Sequence, residues 1–261
     1  MADIPMETLL AALLLTAAAG LSTTFGSLIA LFWRAPGPRY MTLTLGFSAG
    51  IMIHVSYVEL LSGSMAVFGE GGMSQVEAFA VSHVALFTGL LAMLLIDVLV
   101  SHAYILEGME PDASLRRMGV LVAVGVAIHN FPEGMATFAS AIHDRSLGVA
   151  IAAAIALHNV PEGIAVAVPI HAATHSARKA FLWSFLSGVS EPVGAALAAV
   201  VLLPFLSPAV LGWTLCCVAG FMIYIAFDEL LPAAQSYGRS HLAIVGVATG
   251  MAVMALSLAL L

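Results

Sequence analysis

Charge is scarce in this chain. Only 9% of its 261 residues are charged, against roughly 25% in soluble domains. That shortage, with 61% hydrophobic residues and a mean hydropathy of +1.06, excludes an ordinary soluble globule and points to a bilayer. Cysteine is nearly absent: Cys216 and Cys217 are adjacent in an apolar run, so no disulfide framework exists, and both read as packing residues. The single lysine, Lys179, does not follow a G-x-x-x-x-G-K-[ST] pattern. An ATP-driven pump in one chain is therefore not expected. A basic region before the first apolar stretch is also missing, since Asp3 and Glu7 come first, and the N-terminus does not read as a secretory signal. With so few cations, no nucleic-acid partner is expected. Glycine, by contrast, is abundant at 23 residues, as suits helices that approach closely in lipid.

Apolar runs long enough to cross a bilayer fall at about 6–33, 40–62, 80–100, 117–142, 146–171, 179–204, 208–232 and 240–260. The expected fold is an all-α integral membrane protein of eight transmembrane helices. Only the connectors 63–79 and 101–116 exceed ten residues. Residues 1–261 thus read as a single eight-helix domain. The basic residues orient it. Arg34, Arg39, Arg116, Arg117, Arg178, Lys179 and Arg239 fall on one side of the membrane, and Arg145 alone on the other. The positive-inside rule makes the first side cytoplasmic and both termini extracytoplasmic, in the inner (plasma) membrane of a cell.

The centre of the chain repeats itself. His129-Asn130-Phe131-Pro132-Glu133-Gly134 returns 29 residues later as His158-Asn159-Val160-Pro161-Glu162-Gly163. Each copy lies near the middle of its apolar run, where a carboxylate costs at least ~2.5 kcal/mol. Four residues is about one helical turn, so each His and its Glu share a face. The intervening proline removes an N–H and frees a carbonyl. Helix six adds a weaker echo, Ser190-Glu191-Pro192-Val193-Gly194, at the same depth. No Lys or Arg lies in any helix core, so a bound cation or a proton must neutralise Glu133, Glu162 and Glu191. One motif on two consecutive, antiparallel helices implies inverted pseudosymmetry about a midplane site, a plan known from transporters.

These motifs, extending through Ile164-Ala165-Val166-Ala167, resemble those of the ZIP (ZRT/IRT-like) metal transporters, most of all the bacterial ZupT-like branch. The resemblance covers the eight-helix layout, both hexapeptides and Glu191. It implies a binuclear site in helices four to six. His129, Glu133, His158 and Glu162 would serve one metal. Asn130, Glu133, Asn159, Glu162 and Glu191 would serve the other, with Glu133 and Glu162 bridging. Many members carry a His-rich loop between helices three and four. Here 101–116 offers His102, Glu107, Glu110 and Asp112, a departure from that pattern.

The expected function is import of divalent metal ions, chiefly Zn²⁺, with Fe²⁺, Mn²⁺ and Co²⁺ also suited to a thiolate-free N/O ligand set. No resident cofactor is expected; the metals are cargo. An enzyme is not expected. A membrane-embedded zinc metallohydrolase is the alternative, but it needs a spare general base, and each midplane carboxylate is already a ligand. A metal sensor is disfavoured by the lack of a signalling domain. Partners are the metal ions and the bilayer, and a homodimer is left open. His54 with Glu59, and Asp228 with Glu229, read either as stations on the path or as groups reaching the interface. Asp97 reads as interfacial.

Overall fold

A computed structural model describes residues 5–32, 37–105, 111–143, 145–202 and 207–260. Eight helices long and apolar enough to cross a membrane are found among them. They are α1 (Met6–Phe32), α2 (Pro38–Glu70), α3 (Gln75–Ile105), α4 (Pro111–His143), α5 (Arg145–Thr174), α6 (Ala177–Leu197, continued by a π-helical turn at Ala198–Leu202), α7 (Pro208–Ser236) and α8 (Ser240–Leu260). The chain is thus an all-α, multi-pass membrane protein. In lipid the backbone must satisfy its own polar groups, which leaves helices as the natural outcome for such runs.

Helices extend beyond the apolar runs. The expected 63–79 connector is helical to Glu70 and again from Gln75, leaving a turn of four residues. Hydropathy marks where lipid ends, whereas a helix ends where its caps lie. Here Gly72 turns the chain at φ 95°, and Ser74 with Glu77 forms a capping box: Glu77 accepts from the Ser74 N–H at 2.9 Å, and Ser74 Oγ accepts from the Glu77 N–H at 3.3 Å. The 101–116 connector is also shorter than expected, because α3 runs to Ile105 and α4 starts at Pro111. His102 and Asp112 have side chains outside the described residues, and Glu107 and Glu110 lie wholly outside them.

The packing partners come in related pairs. α1 packs on α5 as α4 packs on α6, and α2 packs on α8 as α3 packs on α7. Close backbone approaches repeat the relation. A Cβ on Gly50 of α2 would stand 2.1 Å from the Val247 carbonyl oxygen of α8, and one on Gly220 of α7 would stand 2.1 Å from that of Leu86 in α3. Both α2 and α7 also contain a π-helical segment, Val55–Leu61 and Ile225–Leu230, holding Glu59 and Glu229. The inverted pseudosymmetry therefore reaches the whole bundle, exchanging α1 with α6, α2 with α7, α3 with α8 and α4 with α5.

α4 and α5 occupy the middle. Their most apolar stretches are 69% and 62% buried, against 28% and 22% for α3 and α8. The peripheral helices turn Phe87, Leu91, Leu95, Val245, Val253 and Leu256 outward, as lipid contact requires. The polar hexapeptides sit on the two helices most completely surrounded by others.

Candidate metal centre

The two hexapeptides face each other. His129 Nε2 of α4 lies 2.8 Å from Glu162 Oε1 of α5, and His129 Nδ1 lies 3.8 Å from Glu133 Oε1 one turn along its own helix. On the other side, the Asn159 amide donates to a carboxylate oxygen of Glu191 on α6. His129, Asn130, Glu133, Asn159, Glu162 and Glu191 are all buried. The side chains of His158 and Pro132 lie outside the described residues.

The motif glycines explain how the helices come this close. A Cβ on Gly134 would stand 2.0 Å from the Glu191 carbonyl oxygen, and one on Gly163 would stand 1.8 Å from that of Thr23 in α1. Any side chain at either position would hold the helices apart. So the sixth letter of each hexapeptide sets the distance at which the fifth, the glutamate, meets its neighbours.

The asparagines spend their amide N–H groups on the flanking helices. Asn130 donates to the Ser187 carbonyl of α6 at 3.3 Å, and Asn159 donates to the Ala19 carbonyl of α1 at 3.0 Å. This orients both side chains and leaves their carbonyl oxygens buried with no hydrogen-bond donor among the described residues. A buried acceptor without a donor is costly. A cation held there would remove that cost.

Charge leads to the same conclusion. Glu133, Glu162 and Glu191 are buried, whereas the described basic side chains Arg39, Arg116, Arg145, Arg178, Lys179 and Arg239 are all exposed. Three carboxylates, an imidazole and two oriented amide oxygens form a mixed N/O set suited to first-row divalent ions. Each carboxylate is already engaged by a neighbour in the set, which argues against a spare general base.

A second acidic group, not assembled by sequence reasoning, joins α3 and α7. Asp97, Asp228 and Glu229 offer oxygens all within 4.8 Å of one another, and the Tyr224 hydroxyl donates to Asp97 Oδ2 at 3.1 Å. Asp97 and Glu229 are buried while Asp228 is exposed. Asp97 therefore faces α7 instead of the interface. His54 and Glu59 are half-buried, at and within the π-helical segment of α2. The cysteines pack as expected: Cys216 donates to Ser64 Oγ at 2.9 Å and Cys217 to the Ala85 carbonyl at 3.3 Å.

Sequence reasoning missed the contribution of α1. Its Ala19 carbonyl holds Asn159, and its Thr23 carbonyl lies against Gly163. The available signal was the spacing Gly20-x-x-x-x-x-Gly26, which recurs as Gly188-x-x-x-x-x-Gly194 around Glu191.

Comparison with known proteins gives the family. Residues 102–258, from the end of α3 into α8, match the family described as ZIP Zinc transporter. The chain is 53% identical to the zinc transporter ZupT of Chlorobium phaeovibrioides over 98% of this chain and 100% of that one. It is 49% identical to the zinc transporter ZupT of Nitratidesulfovibrio vulgaris over 94% and 95% of the two chains. Identity to the zinc transporter ZupT of Streptococcus mutans is 44%, over 97% and 98%. These are transporters by name, in keeping with the expectation that the chain is not an enzyme. With well over half its length matched by the family and its motifs assembled at the bundle centre, the chain belongs to the ZIP zinc transporter family.

Proposed function

We propose that this chain imports Zn²⁺ across the inner (plasma) membrane through a binuclear centre at the bilayer midplane. The observation that carries the reading is the buried cross-helix contact of His129 with Glu162, in a site where no described basic side chain is buried. In the proposed arrangement His129, Glu133, His158 and Glu162 hold one ion. Asn130, Glu133, Asn159, Glu162 and Glu191 hold the other, and the two central glutamates bridge.

Two divalent ions bring four positive charges to three carboxylates. The filled centre is close to neutral, so an ion can shed its water there without being trapped. Bridged pairs lie about 3.5–4 Å apart, which one carboxylate from each helix can span. Without a thiolate, Fe²⁺, Mn²⁺ and Co²⁺ are accepted alongside Zn²⁺. The inverted pairing of helices supplies two related half-structures that can expose the same centre to either side in turn. Both termini are extracytoplasmic in this reading, and residues 1–261 act as one transporter domain.

The test is uptake of radiolabelled zinc into proteoliposomes, with a panel of competing metals and with or without a pH gradient. Zinc accumulation dependent on Glu133 and Glu162 is expected. Purified protein that cleaves peptide or lipid but moves no metal would replace this reading with the metallohydrolase.

A further inference from the structure

The pseudosymmetry of the bundle locates a residue that the ligand set above omits. Around Glu191, α6 reads Gly188-Val189-Ser190-Glu191-Pro192-Val193-Gly194; in α1 the matching stretch is Gly20-Leu21-Ser22-Thr23-Thr24-Phe25-Gly26. Thr23 stands where Glu191 stands. The backbone agrees closely. Asn159 donates to the Ala19 carbonyl of α1, and Asn130 donates to Ser187, the equivalent residue of α6. Gly163 abuts the Thr23 carbonyl as Gly134 abuts that of Glu191. A Cβ on Gly188 would stand 3.2 Å from the Thr23 Cβ, and one on Gly20 would stand 3.1 Å from the Glu191 Cβ. The two side chains thus leave their helices from equivalent points of the α1–α6 contact, related by the pseudo-axis. Glu191 meets Asn159, so the counterpart of that meeting is Thr23 with Asn130. Thr23 Oγ1 and Asn130 Oδ1 are both buried with no hydrogen-bond partner among the described residues.

We propose that Thr23 is the α1 ligand of the asparagine-rich metal position, its hydroxyl oxygen completing the shell across the pseudo-axis from Glu191. The proposal rests on the binuclear reading above. The choice of a hydroxyl has a physical consequence. A carboxylate at both symmetry-related positions would bring four negative charges to two divalent ions and hold them more firmly. Threonine supplies the oxygen without the charge, so the asparagine-rich position fills and empties more readily than a symmetric site would.

The experiment is a Zn²⁺ and Mn²⁺ titration of the purified full-length chain in lipid nanodiscs, with bound metal counted and thermal unfolding of the metal-free protein recorded alongside. The parent should bind two ions per chain. Thr23→Val, which keeps shape and removes the hydroxyl, should weaken the position that Glu191→Gln also weakens, by about 10–100-fold, the range seen when groups supporting a metal are lost. The other position should be unchanged. Thr23→Ser should bind as the parent does. Thr24→Val removes another buried, unpartnered hydroxyl and should leave both positions intact. In a Glu191→Thr protein, adding Thr23→Glu should restore the second ion, because the carboxylate has moved across the pseudo-axis. A Thr23→Val protein that binds both ions like the parent, while Glu191→Gln weakens one, overturns the role of Thr23 and leaves the binuclear reading standing. So does a Thr23→Ser protein as weak as Thr23→Val, since the hydroxyl is then not the cause. A parent that binds one ion overturns the binuclear reading itself.

Discussion

Alanine at Gly134 is the smallest change that should disable transport without touching a ligand. Its Cβ would start 2.0 Å from the Glu191 carbonyl oxygen, and a backbone oxygen has no rotamer by which to withdraw. Contacts of this kind essentially never fall below 3.0 Å, so α4 and α6 must part by about 1 Å. Over-packing of that order costs about 1–3 kcal/mol, which a bundle of eight helices should survive. The centre should not. Gly134 follows Glu133 directly, and the oxygen it strikes belongs to Glu191. A separation of about 1 Å is half of a Zn–O bond of ~2.0–2.2 Å, and misplacements of that size can cost about 10²-fold in rate. Gly163→Ala should act alike through Thr23 at 1.8 Å, whereas Gly63→Ala on α2 meets no atom within 4 Å and serves as the control. The assay is initial zinc uptake into proteoliposomes, normalised to folded protein by size-exclusion chromatography. Parental uptake by both Gly134→Ala and Gly163→Ala would refute the claim that these glycines set the ligand geometry.

Other expectations concern the ligands, the topology and acid. Glu133→Ala or Glu162→Ala should abolish transport, and removing both should bring bound metal near zero; a transporting double mutant would rule out the bridged centre. Replacing His129 and His158 together should leave about one ion per chain by elemental analysis, while Glu191→Gln should shift preference between Zn²⁺ and the more oxygen-seeking Mn²⁺. In a background lacking Cys216 and Cys217, an impermeant thiol reagent on intact cells should label a cysteine placed at Ala2 and spare one placed at Asp112. The reverse would invert the orientation drawn from the basic residues. Neutral imidazole and ionised carboxylate are the metal-binding forms, so acid on the uptake side should raise the half-saturating zinc concentration as pH falls through the ordinary imidazole range near ~6.5. Acid that speeds uptake at low and saturating zinc alike would show proton coupling to dominate.

Much of this was legible in the amino-acid order because a bilayer is a simple solvent. Its core admits apolar runs of about 20 residues and penalises charge, so eight runs meant eight helices. A glutamate placed twice in mid-run, each time one turn after a histidine, pointed to a cation. The hexapeptide repeat disclosed the antiparallel pairing of α4 and α5 for the same reason. Helix ends were less legible: capping at Ser74 and Glu77 prolonged structure where hydropathy had already fallen, since caps act through backbone hydrogen bonds and not through transfer from water.

What only the tertiary structure decided depends on contacts between distant segments. Asp97 and Glu229 are far apart in the chain, and their meeting with Tyr224 follows from α3 lying along α7. Thr23 is an unremarkable letter in α1 until the packing of α1 on α5 makes it the counterpart of Glu191. The role of Gly134 and Gly163 is of the same kind. A hydropathy profile records the price of taking each residue out of water, and that sum is local. Which backbone oxygen a missing Cβ makes room for is a property of two helices at once, and only their packing expresses it.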